Sequence, residues 1–68
     1  MSTAYDEVID LAVQRWTEHL HVADQATFDH MAAAAEAAES SPVIVRMRTA
    51  VDFERAERVV KAGLQVPA

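Results

Sequence analysis

The sequence predicts a small all-α fold of three helices. Two observations carry this: apolar residues recur at helical spacing over most of the chain, and helix-capping signals divide it into three stretches. A third observation is length. Sixty-eight residues allow a single domain, 1–68, whose one core supplies no more than about 3–5 kcal/mol.

The first helix is expected over about residues 4–21. Thr3 with Asp6 resembles a capping box, and Asp6, Glu7 and Asp10 sit where the helix dipole favours acids. Tyr5, Val8, Ile9, Ala12, Trp16 and Leu20 repeat as one buried face. Asp24 is the expected N-cap of the second helix, which runs to about Glu39 with Phe28, Met31, Ala32, Ala35 and Ala38 on one side. The alanine-rich block from Met31 to Ala38 has high helix propensity and side chains small enough for another helix to approach closely. The short link Val22–Asp24 makes these two helices a hairpin.

The segment after Ser40-Ser41-Pro42 reads two ways. Serine followed by proline is a good helix start. Yet Val43-Ile44-Val45 is β-branched and Val45 to Arg48 alternates, so a short strand near 43–48 followed by a helix from a second capping box at Thr49–Asp52 is the alternative. At 100° per residue Val43, Ile44, Met47, Ala50 and Val51 share one face, whereas Phe53, Ala56, Val59 and Val60 share nearly the opposite one. A continuous or kinked third helix would therefore be apolar on two sides. Gly63 is the expected left-handed C-cap, with Leu64 folding back on Val59 and Gln65 to Ala68 left as a tail.

Composition narrows the function classes. There is no cysteine, which removes disulfides, thiolate metal sites and cysteine nucleophiles. Oligomerisation is then the expected source of extra stability. The N-terminus lacks a secretory pattern and no apolar run approaches about 20 residues, so a cytoplasmic protein with no membrane span is expected. Up to Ser41 there are eight acids and one base, Arg15; from Pro42 there are five bases and three acids. That asymmetry favours contact between copies, while the net charge of −5 argues against nucleic-acid binding over the whole surface.

No residue pattern calls for an enzyme. Serines stand only at 2, 40 and 41, where capping explains them, and the single glycine excludes a phosphate-cradling loop. No cofactor is expected. Glu18 and His21 form Glu-x-x-His, half of a carboxylate–histidine metal pair, but the pattern is weak and lies opposite the apolar stripe. His19 is expected to be semi-buried at the edge of that stripe. Arg46, Arg48, Arg55, Arg58 and Lys61 make a nucleic-acid contact through 46–58 the alternative reading. However, Glu54–Arg58, Glu57–Lys61 and Arg48–Asp52 are i,i+4 pairs that compensate much of this charge, leaving Arg46 without an evident local partner.

The large anchors Tyr5, Trp16, Phe28 and Phe53 are expected in the core, with the Trp16 indole also suited to a wet interface edge. The favoured reading is a non-enzymatic protein–protein interaction module acting as a homo-oligomer, most simply a dimer. Regulatory, adaptor, inhibitor-type and phage-encoded proteins all fit such a chain. Val43, Ile44, Met47 and Val51 are the expected apolar contact, with Arg46, Arg48 and Trp16 beside them; the partners are a second copy and another protein.

Overall fold

The computed structural model describes residues 4–65. It contains three helices, α1 (Ala4–Val22), α2 (Gln25–Ala37) and α3 (Pro42–Gln65), and no strand among the described residues. The boundaries follow from local chemistry. Asp24 sits in extended backbone, and its carboxylate accepts the Thr27 N–H at 2.9 Å while its carbonyl takes the first helical bond from Phe28. Those hydrogen bonds hold its carboxyl below the usual range. Ser41 does the same for α3, its hydroxyl accepting from Ile44 N–H at 3.2 Å. Pro42 takes the first helical position, where its missing N–H costs nothing.

The alternative strand near 43–48 does not form; the continuous helix does. Val43, Ile44 and Val45 lie in one continuous helix that also passes through Thr49 without a break. A lone strand has no ladder partner in so short a chain, whereas as a helix this stretch turns Met47, Ala50 and Val51 onto a common core. Thr49 does not cap a new helix; its hydroxyl donates to the Val45 carbonyl one turn back, at 3.0 Å. Gly63 is likewise helical rather than a left-handed cap, and Leu64 is exposed instead of folding back. The Thr3 half of the first capping box, and the tail beyond Gln65, lie outside the described residues.

The core is small. Leu20, Phe28, Ala32, Ala35 and Val51 form its buried cluster, with Trp16, Ala23, Met31, Met47 and Ala50 packed around it. The α2 face is as expected from its alanines, whose size lets α3 lie close against it. On α1 the inward face is rotated: Val13 and Leu20 are the buried positions, while Tyr5, Val8 and Ala12 face outward and His19 is exposed. Phe53, expected in the core, is 68% exposed.

Two arginines of α3 close the other helices. α2 ends without a glycine, at Ala38 in extended backbone. Arg48 reaches across and donates to the carbonyls of Ala35 (3.0 Å), Glu36 (3.4 Å) and Ala38 (2.6 Å). These are carbonyls that a helix C-terminus otherwise leaves unpaired. Arg58 serves α1 in the same way, donating to Leu20 (3.1 Å) and Ala23 (2.7 Å), and its guanidinium lies 4.5 Å from the centre of the Phe28 ring. Phe28, 2% exposed, thus sits under the charged cap and against all of the apolar core.

Phe28→Ala should remove about 3–5 kcal/mol, as much as the whole stability expected of a domain this size. Far-UV circular dichroism at 25 °C should show loss of most helix, whereas Phe28→Leu should retain a cooperative melt at lower temperature. A Phe28→Ala protein that melts like the parent would contradict this packing.

Candidate functional site

Two concave regions follow from the way α3 outlasts its neighbours. α1 and α2 contact it as far as Arg58, and its last turns run past them. A groove of about 820 Å³ opens between α1 and α3, lined mainly by apolar groups, among them Val13, Leu20, Val45, Ala50 and Phe53. It is continued along α3 by a shallower hollow that contains Phe53, Ala56, Val60 and Leu64. Val45 is 51% exposed, Val60 62% and Leu64 82%. This is the second apolar face of α3 that the periodicity required, and it is the free one.

The face assigned to contacts from sequence is instead turned inward. Val51 is 1% exposed, Met47 packs on the buried cluster, and Val43 and Ile44 are half-buried. Trp16 is half-buried against the same cluster. Arg46 does have a partner, Asp10 of α1 at 2.6 Å, and Arg48 is engaged with the α2 C-terminus rather than with Asp52. Arg55 pairs with Glu36 at 2.9 Å, and Arg58 with Glu54 at 3.0 Å. All four arginines of the 46–58 segment therefore direct donors into the chain itself.

Glu54 is the unusual group. It is a carboxylate in the helix interior, 7% exposed, and it faces the α1 C-terminus. Its two oxygens have different partners: Oε2 accepts from Arg58 Nε at 3.0 Å, and Oε1 lies 2.7 Å from His21 Nδ1. Burial pushes its carboxyl up, but the hydrogen bonds to His21 and Arg58 outweigh this and hold it below the usual glutamate value. Glu57, one turn on, places Oε2 3.8 Å from the same His21 nitrogen. Glu18, paired with His21 on sequence, is not a member of this cluster. Nothing in the sequence pairs residues 21 and 54, because their meeting depends on how α1 lies across α3.

Compared with family models, curated proteins and solved structures, the chain matches none.

The depressed Glu54 carboxyl sets a pH dependence. Its pairing contributes stability that is complete above the unfolded-state value of 4.5. That contribution is lost as pH falls through the lower folded-state value, since there the unfolded chain binds the proton more readily. Denaturation midpoints measured from pH 7 to pH 3 should fall in this acid window, and Glu54→Gln should flatten that part of the curve. Arg58→Met, which leaves Glu54 and the α1 carbonyls without their donor, should cost about 3–5 kcal/mol; an unchanged midpoint would refute the clamp.

Proposed function

We propose that this chain is a non-enzymatic interaction module that works as a homodimer, with the α1–α3 groove and the exposed seam of α3 as the contact between copies. The observation that carries the reading is Phe53, a large aromatic group 68% exposed where the groove meets the seam. Large aromatic side chains of this kind anchor interfaces when a partner buries them.

Surface area supports it. A compact monomer of 7.5 kDa is expected to expose about 4,200 Å². This chain exposes 5250 Å². The radius of gyration, 14.1 Å, also exceeds the roughly 11 Å of a compact chain of this length.

The spacing of the seam favours a second copy as occupant. A two-fold contact must be self-complementary. An antiparallel pairing of α3 centred between Phe53 and Ala56 places Ala56 of one copy against Phe53 of the other, Val60 against Thr49, and Leu64 against Val45. Each C-terminal half then lies in the groove of its partner. In this reading the module binds a further protein only as the assembled dimer. A nucleic-acid role draws less support, because the arginines it would use are committed within the chain.

Light scattering of the untagged protein over a concentration series should give twice the chain mass. Phe53→Asp should give a monomer with unchanged helical circular dichroism, since the side chain is exposed within one copy. Val51→Asp should unfold the chain instead. A monomeric parent, or a Phe53→Asp protein that keeps the dimer mass, would overturn the reading.

A further inference from the structure

The last turn of α1 and one turn of α3 bring three metal-ligand groups together on the rim of the groove. His21 Nδ1 lies 2.7 Å from Glu54 Oε1 and 3.8 Å from Glu57 Oε2, and the three atoms fall within 4.8 Å of one another. Zinc takes imidazole nitrogen and carboxylate oxygen at about 2.0–2.2 Å, so two ligands of a tetrahedral ion stand roughly 3.3 Å apart. The His21–Glu54 and His21–Glu57 separations lie on either side of that value, and rotations of the exposed His21 and Glu57 side chains can bring the three groups to it.

The surroundings suit the same purpose. Glu54 and Glu57 are three apart and share a side of α3. Arg58 holds Oε2 of Glu54 and leaves Oε1 directed at His21. Outer hydrogen bonds of this kind orient a ligating carboxylate. The side chains of His21 and Glu57 are 66% and 48% exposed, so an ion reaches them without the helices separating. His21 also borders both the groove and the hollow along α3.

We propose that His21, Glu54 and Glu57 form a three-ligand site for a divalent transition ion, with Zn²⁺ the type case, and that its remaining coordination position opens toward the groove. The imidazole selects this class over Mg²⁺ and Ca²⁺, which prefer all-oxygen sites. Binding uses the Nδ1 lone pair, so the ring carries its proton on Nε2, and two bonds to the ion replace the His21–Glu54 hydrogen bond. All three ligands come from one chain, and His21 and Glu57 border the groove and seam that the proposed dimer would cover.

Calorimetric titration of Zn²⁺ into the untagged full-length protein tests this, with Mg²⁺ titrated in parallel. One Zn²⁺ per chain is expected, with Mg²⁺ not saturating at the same concentrations. His21→Ala and Glu57→Gln should each weaken binding by about 10-fold or more, and His30→Ala should not change it. Glu57→Gln alters an exposed side chain, so it keeps the test valid if His21→Ala loses helical circular dichroism. No saturable Zn²⁺ binding by the parent, or binding that survives Glu57→Gln, would overturn the site. Loss with Glu18→Gln but not with Glu57→Gln would place the ion on α1 alone, and would equally refute the assignment.

Discussion

The fold rests on the guanidinium of Arg58. The last carbonyls of a helix need partners, and many helices supply them through a glycine or asparagine in the left-handed conformation. The only glycine of this chain is Gly63, and it is helical. Arg58 takes over that task for α1 from 38 positions away in sequence, donating to Leu20 and Ala23. The same group reaches Gln25 at the start of α2, pairs with Glu54 on its own helix, and covers the Phe28 ring. One planar cation thereby joins all three helices at the point where the core is deepest. Its fork of fixed donors is what permits this, and a lysine would supply one point charge in its place. Arg48 repeats the device at the other connection, so the end of each of the first two helices is written into the third.

This division explains which parts of the structure were legible in sequence. The first two helices were, because Asp24 acts locally and the alanine block has no competing preference; the start of α3 at Ser41-Pro42 was one of two readings, since the β-branched run Val43–Val45 also suits a strand. The two apolar faces of α3 were legible too, since periodicity alone exposes them. Which of them turns inward was not. That depends on α1 and α2 covering the side of α3 where Met47 and Val51 lie, as far as Arg58, and leaving its other side and its last turns bare. The arginines were misread for a similar reason. Spacing at i,i+4 pointed to exposed ion pairs, and only Glu54–Arg58 formed as such, in a buried setting. The stronger use of Arg48 and Arg58, as donors to distant carbonyls, leaves no local signature. On α1 the stripe was placed about one position off, because Tyr5 and Val8 fit the apolar pattern but lie beyond the reach of the small core.

The mismatch in helix length shapes the surface. α3 has 24 residues and α2 has 13, which at 1.5 Å per residue are about 36 and 20 Å long. The core fills only the stretch that the three helices share. Beyond it α3 carries Val59, Val60 and Leu64 into solvent, a run that propensity does not require and that a lone helix turn gains nothing by exposing. Apolar area held open on a short chain of marginal core is stabilising only when something covers it. In the dimer proposed above, a second copy would offer the same face and meet that requirement with no further sequence.

Glu54 connects this outer surface to the interior. Its Oε2 belongs to the Arg58 clamp and its Oε1 to His21 on the rim, so one buried carboxylate carries both the closure of α1 and the exposed cluster. Whatever engages Oε1 from outside, the His21 imidazole or a metal ion, acts on a group whose position is already set by the clamp. Conversely, that clamp exists only in the folded chain, so the rim cluster has no counterpart in the unfolded ensemble. A ligand that binds there in the native state more tightly than in the unfolded chain would stabilise the fold by an amount that grows with the logarithm of its concentration over its dissociation constant. In a domain whose core is five buried side chains and a few flanking groups, occupancy of the rim and persistence of the fold are consequently two readings of a single equilibrium.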